Sequence, residues 1–365
     1  MCNNTNCIYI CGVEKIYKKF RIIHIIKRSE LMKETISMSY GSGGKKTSHL
    51  IEDIIIPQFN NEVLCELGDG ALLNVSGRIG FSTDSFVIYP YFFPGGDIGK
   101  LSVCGTVNDV IMSGCVPKYL SLALIIEEGF SIDELTRIVN SIAETSKYAG
   151  VQIVTGDTKV VDKGHGGGIY INTSGIGEKI KGLNLSKKRI NRGDKVIITG
   201  NIGDHGVSVL AVRENLLDGD IIESDCAPLI ELLPIVNKYK EYIKIMRDPT
   251  RGGVATTLNE FIENSELCIE LEEDLLPIDS KVMAACDMLG LDPLYSANEG
   301  KALLIVNNSV AEELVYDLKS IEMFKDASII GEVNMNMSGK VVIKNFLGAT
   351  KILYKLTSNI LPRIC

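Results

Sequence analysis

The chain has 365 residues, a formal net charge of −8, 23% charged and 45% hydrophobic residues, enough for two buried cores in an ordinary globular protein. The acidic balance argues against nucleic acid or an anionic membrane as the main partner, and no apolar run reaches the roughly 20 residues that span a bilayer. Ten cysteines are scattered without tight pairing, which fits free thiols in a reducing cytoplasm better than a disulfide scaffold.

Cys2, Cys7 and Cys11 are spaced C-x4-C-x3-C, which matches no common zinc or iron–sulfur pattern. The run 21–28 lacks a signal-peptide core and cleavage site, so residues 1–31 read as a dispensable extension and Met32 as the start of the folded protein. Gly41-Ser42-Gly43-Gly44-Lys45 then feeds an apolar-periodic helix through Leu50, Ile51, Ile54 and Ile55, with Pro57 marking its end. The spacing is not that of a Walker A loop. The loop is either a plain helix start or a nest of backbone N–H groups for an anion.

Short β-rich runs follow at 71–75 and 79–87, then a helix over 98–112 and an apolar strand over 119–126. Ser131 opens a capping box with Glu134, and Leu135, Ile138, Val139, Ile142 and Ala143 form an apolar stripe that Gly150 ends. A strand over 151–154 runs into Thr155-Gly156-Asp157-Thr158-Lys159. A polar turn at Arg192-Gly193-Asp194 opens a second unit, with strands at 195–199, 302–306, 327–333 and 340–346. Helices are expected from 207, after Pro228, over 280–289 and over 310–319. This alternation indicates two layered α/β (α+β) domains with a boundary near residue 190.

Asp69, Asp84, Asp109 and Asp157 stand beside glycines or hydroxyl residues, most of them after β-rich runs. Such carboxylates suit Mg²⁺, with water and phosphate completing its shell, although Asp–Gly pairs are also common in plain turns. Four in one domain, with a glycine nest, point to a Mg-nucleotide site. Gly200, Gly203 and Gly206 do not have the Rossmann spacing. Lys159 can place an ammonium against a γ-phosphate and Glu299 can act as a base; each also reads as a surface charge. His205 reads as a helix-start residue. The final residue, Cys365, is either accidental or a thiol carried into an active site; a prenylated cysteine would stand fourth from the end.

The segments 41–45, 81–87, 92–96, 105–109, 155–161, 203–206, 248–254, 297–301 and Pro362-Arg363-Ile364-Cys365 resemble, in this order, the hydrogenase-maturation carbamoyl dehydratases, within the wider family of aminoimidazole ribonucleotide synthetases and selenophosphate synthetases. The likeness runs from about Met32 to the end. Its most specific element is the closing Pro-Arg-Ile-Cys, and Gly68-Asp69-Gly70 departs from the pattern. The resemblance implies an N-terminal ATP/Mg-binding domain over 32–190 that forms a homodimer by closing a β-barrel, a C-terminal domain over 191–348 and a mobile tail over 349–365. It implies ATP held by Gly41, Ser42, Gly43, Gly44, Lys45, Asp84, Asn108, Asp109 and Asp157, with Mg²⁺ on Asp69, Asp84, Asp109 and Asp157. A carbamoyltransferase, HypF, would load Cys365, and ATP-dependent dehydration assisted by Lys159 and Glu299 would give a thiocyanate. The cyano group would then pass through HypC–HypD to the iron of a [NiFe] hydrogenase. A synthetase or kinase acting on a free small molecule, and a thiol carrier without dehydratase activity, are the other readings.

Overall fold

The structure, a computed structural model, describes residues 35–59, 61–67, 70–214, 216 and 221–356. The proposed extension and Cys365 therefore lie outside the described residues, as does Asp69. The first helical stretch runs through Lys45–His49, a wider π-type turn over Leu50–Ile55, and Ile56–Phe59. Pro57 sits inside it rather than at its end, and Leu50 and Ile54 bury its inner face.

Four strands, β1 (Ile79–Phe86), β2 (Cys115–Glu127), β3 (Gln152–Val161) and β4 (Ile169–Lys179), make a sheet of order β1-β4-β2-β3. Only β2 and β3 run parallel, and helix α2 (Ile132–Ala149) supplies the crossover this requires. Ser131 Oγ accepts from Glu134 N, as the capping signal implied, and Gly150 ends α2 in the left-handed region at φ 68°. The expected stripe is buried at Leu135, Ile138, Val139 and Ile142. Helix α1 (Ile98–Met112) is buried nearly all round, as a helix apolar on every side must be. Asp97 caps it, accepting from Gly99 N at 2.7 Å and Lys100 N at 3.1 Å. Both helices pack against the sheet, α1 on β1, β2 and β4 and α2 on β3.

The second sheet has seven strands: β5 (Lys195–Ile198), β6 (Ile243–Arg247), β7 (Cys268–Glu272), β8 (Leu303–Val306), β9 (Ser328–Asn334), β10 (Val341–Lys344) and β11 (Thr350–Leu353). Their order is β11-β10-β7-β9-β5-β8-β6. Five helices accompany it: α3 (Asp204–Arg213), α4 (Leu232–Lys238), α5 (Gly253–Ile262), α6 (Ser280–Leu289) and α7 (Ala311–Lys319). One continuous apolar cluster includes α1 residues Leu101 and Val107 and second-sheet residues Ile197 and Leu304. The two sheets thus share part of one core through α1.

Several expectations need correction. Residues 71–75 form no strand, and β4, β6 and β7 were not foreseen. Residues 155–159 lie within β3 rather than beyond it. Residues 350–353 belong to edge strand β11, not to a mobile tail, because Gly348 (φ 81°) and the Asn345 side chain fold the chain back and Leu353 is buried. No helix among the described residues is long and apolar enough to cross a membrane.

Candidate active site

Strand alternation sends Ser82 and Asp84 of β1 to the same face, toward α1. There Ser82 Oγ donates to Asp109 Oδ2 at 2.7 Å. Gly105, one helical turn before Asp109, makes this approach possible: a Cβ there would meet the Phe86 ring at 2.7 Å and lie 3.7 Å from Asp84 Oδ2. Asp248 follows the end of β6 and Glu299 precedes β8, both buried. Burial pushes the Asp109 carboxyl up, and the Asp84 charge adds to this. Burial, then Asp109, pushes Asp248 up to about 7. Glu299 is held well above the ordinary carboxylate range by burial, then by Cys226, Asp248, Asp225 and Asp84. Acidic groups forced together away from water behave in this way. Arg247 and Arg251 oppose this charge, and Arg251 Nη2 lies 3.3 Å from Asp84 Oδ1 at the surface.

The backbone around Glu299 is bracketed on both sides. Asp225 accepts from Glu299 N and Gly300 N, each at 3.1 Å. Asn108 Nδ2 donates to the carbonyls of Glu299 and Ala227, both at 3.1 Å, while its Oδ1 accepts from Leu229 N at 2.8 Å. Asn298 Nδ2 donates to Pro249 O and Ser296 O, and its Oδ1 accepts from Gly203 N. Gly300 is required, since a Cβ would lie 1.8 Å from Asp225 O. Asp225 is itself flanked by Ser224, whose Oγ shares a 2.8 Å hydrogen bond with Nδ1 of the buried His205.

The glycine loop lies elsewhere. Gly41, Gly43 and Thr47 line a cavity of about 410 Å³ with Thr155, Gly156, Asp157 and Lys159. Gly43 N donates to Thr47 Oγ1 at 3.0 Å, and Gly41 is pressed against Val160. In register, Asp84 faces Thr173, Thr173 faces Leu122, and Leu122 faces Gly156. Three strand spacings of about 4.8 Å therefore put Asp157 roughly 14 Å from Asp84 within one chain, and Lys159, two residues further along the strand, farther still.

The structure thus brings Asp84, Asp109 and Glu299 together, and places Asp157, Lys159 and the loop 41–45 at the opposite sheet edge. It commits the Asn108 side chain to bonds between the domains rather than to the open cleft. Sequence reading missed Asp248, Arg251 and Asp225 as site residues. The usable signal for Asp248 was a carboxylate just after a strand, but Ile243–Arg247 was not recognised as one. Among the described residues no three acidic, histidine or cysteine side chains converge to hold a metal by themselves. One or two carboxylates completed by phosphate and water are what Mg²⁺ takes, and the mutual repulsion of Asp84, Asp109 and Asp248 suits a divalent cation.

A helix-backed four-stranded sheet joined through α1 to a mixed seven-stranded sheet defines an AIR synthase related protein. The family model for the N-terminal domain matches residues 67–178 and that for the C-terminal domain residues 191–344. The chain is 42% identical over 341 residues to carbamoyl dehydratase HypE of Azotobacter vinelandii, covering 93% of this chain and all of that one. The crystal structure of HypE in complex with ATP superposes with a TM-score of 0.85 at 42% identity, covering 90% of this chain and 99% of that one. A chain of the HypE–HypF complex does so with a TM-score of 0.74 at 48% identity, over 84% and 99%. The chain belongs to the HypE family of AIR synthase related proteins.

Proposed function

We propose that this chain is an ATP-dependent carbamoyl dehydratase acting on its own terminal cysteine, Cys365. The observation that carries this reading is the place where the chain leaves the second sheet. Asn259 Nδ2 holds Leu353 O, Tyr295 Oη donates to Tyr354 O at 3.0 Å, and Leu356 Cδ1 would be 3.3 Å from a Cβ on Gly252. Gly252 adjoins Arg251, which touches Asp84. Nine residues, 357–365, follow, and an extended segment of that length spans at most about 30 Å. Cys365 is therefore within reach of the acidic cluster of its own subunit.

The chemistry fits these groups. An amide oxygen leaves poorly until it carries a phosphoryl group, so the γ-phosphoryl of ATP passes to the carbamoyl oxygen and ADP departs. Loss of that oxygen on phosphate then forms the C≡N bond. One N–H proton goes to Glu299 and the second departs on hydrogen phosphate, giving R–S–CO–NH2 + ATP → R–S–C≡N + ADP + phosphate. Burial and the neighbouring acidic groups raise the Glu299 carboxyl, which strengthens its carboxylate as a general base once a bound cation leaves it ionised. One or two of Asp84, Asp109 and Asp248, completed by phosphate and water, would hold Mg²⁺, which neutralises phosphate charge when bound. Burial of this wall keeps water away from the phosphorylated intermediate.

The half-site at the other edge calls for a second copy. Among the described residues nothing covers the apolar side chains on the face of the first sheet turned away from α1 and α2: Phe81 is 67% exposed, Ile79 45% and Ile125 42%. Closing two copies into a β-barrel would set β1 of one against β3 of the other. That would bring Lys159 of the partner subunit, with its glycine loop, to the nucleotide on Asp84. The complex formed by the HypE relative favours HypF as the source of the carbamoyl group. By family resemblance HypC–HypD would receive the cyanide for the iron of a [NiFe] hydrogenase. The full chain incubated with carbamoyl donor, carbamoyltransferase and ATP should yield a C-terminal peptide carrying the carbamoyl group minus one water; carbamoyl-dependent ATP turnover unchanged by Cys365→Ala refutes the reading.

A further inference from the structure

We propose that Arg251 is a catalytic residue of this reaction, holding the phosphoryl group while it passes to the carbamoyl oxygen. The inference rests on the function proposed above and adds a residue to it. The Arg251 side chain is 81% exposed, and it forms an ion pair through the 3.3 Å approach of Nη2 to Asp84. An exposed pair of that length contributes little, so the guanidinium exchanges it readily for a better acceptor. Nearby Arg247, in contrast, is held by Glu260 at 2.6 Å.

The base of the side chain is rigid where its tip is loose. Gly252 and Gly253 follow at φ 74° and 61°, and a Cβ on Gly253 would lie 2.5 Å from Leu294 O and 2.6 Å from Ser296 O. The preceding Pro249 carbonyl accepts from both Asn298 N and Asn298 Nδ2 at 3.1 Å. Arg251 and Glu299 are thus mounted on one braced pair of loops. A phosphoryl group in transfer spreads charge over three oxygens, and a planar guanidinium fork matches that geometry better than an ammonium. As the bond from phosphorus to the ADP oxygen breaks and that to the carbamoyl oxygen forms, Arg251 leaves Asp84 for the non-bridging oxygens. No proton or electron moves in this exchange.

The test uses full-length protein, carbamoylated on Cys365, in single turnover with saturating Mg-ATP. Arg251→Ala should form thiocyanate at least about 100-fold more slowly, with the affinity for a non-hydrolysable ATP analogue within about fivefold of wild type. Arg251→Lys should recover part of the rate. The exposed position should leave the melting temperature unchanged. A saturated rate within threefold of wild type in Arg251→Ala, or a loss confined to nucleotide affinity, overturns the inference alone. Absence of thiocyanate from the wild type overturns the proposed function and this inference with it.

Discussion

At the β1 edge of the first sheet, Asp109 and its neighbours Asp248 and Glu299 are crowded and largely buried, with the Asp109 carboxylate held by the Ser82 hydroxyl and the Glu299 backbone by Asn108 and Asp225. At the β3 edge, Gly43, Gly44, Asp157 and Lys159 are exposed around an open cavity. The first arrangement holds negative charge in place at an electrostatic cost, which a cation-bearing substrate relieves. The second holds little in place and can adapt. Chemistry that depends on exact charge placement therefore belongs to the β1 edge, and closure over the nucleotide to the β3 edge.

The sharpest way to break this division is to disable each edge separately. Glu299→Gln should lower thiocyanate formation by roughly 10²–10⁴-fold with nucleotide binding kept, as loss of a general base does. Lys159→Ala should be similarly defective in rate. If the two edges meet only between copies, mixing the two inactive variants and allowing subunit exchange should restore activity, because each mixed dimer rebuilds one intact site. Mixtures that stay inactive despite proven exchange would place both groups in one subunit and contradict the roughly 14 Å spacing argument.

Asn108 tests whether the fixed edge depends on the contact between domains. Asn108→Ala removes three hydrogen bonds spanning α1 and the segments 227–229 and 299. At about 1 kcal/mol for each bond, plus the penalty of unpaired carbonyls, the loss should be roughly 2–4 kcal/mol. A fall in the urea midpoint measures it, and an unchanged midpoint would show that the shared apolar core alone holds the domains together.

Local signals were read well where they act locally. Ser131 with Glu134, Gly150, and the limits of Ser280–Leu289 all match the structure. Gly156-Asp157 misled for a physical reason. Gly156 is there because a Cβ would strike Leu122 O at 2.4 Å, so it serves the close pairing of β3 with β2 rather than a turn. The distance between Asp84 and Asp157 follows from the order β1-β4-β2-β3, which periodicity along one strand does not encode. Asp248 was hidden because Ile-Lys-Ile-Met-Arg is short and interrupted by charge. Asn108 was placed among the nucleotide ligands by resemblance, whereas helix geometry turns its side chain away from that of Asp109 and onto Ala227, Leu229 and Glu299.

The electrostatic cost of the fixed edge extends into the second domain at Asp204. Burial, then the Asp225 charge, raises its carboxyl to about 7, with Lys301 opposing. The unfolded chain releases that proton near pH 4, so the folded state binds the extra proton between about pH 4 and pH 7. Stability from this residue therefore falls as pH rises through that window. Asp204→Asn removes the dependence. The melting temperature of the variant relative to wild type should become a few degrees more favourable between pH 5 and pH 8. A gap that does not change with pH would mean that Asp204 stays ionised throughout.

The smallest expected effect on folding lies at the open edge. Gly43 has φ 77°, and a Cβ there would meet nothing within 4 Å, so Gly43→Ala introduces backbone strain without a clash. That strain is worth about 1 kcal/mol, and an exposed loop joined to its helix by Gly43 N and Thr47 Oγ1 can relax part of it by local motion. The melting temperature should move by no more than a few degrees. Nucleotide affinity should respond differently if the loop closes on phosphate, because N–H groups converge on an anion only while Gly43 keeps its left-handed conformation. Calorimetric titration with Mg-ATP should then show binding weakened several-fold, with the saturated single-turnover rate nearly retained. Unaltered affinity would remove the glycine loop from the site and leave Lys159 as the candidate contribution of the β3 edge.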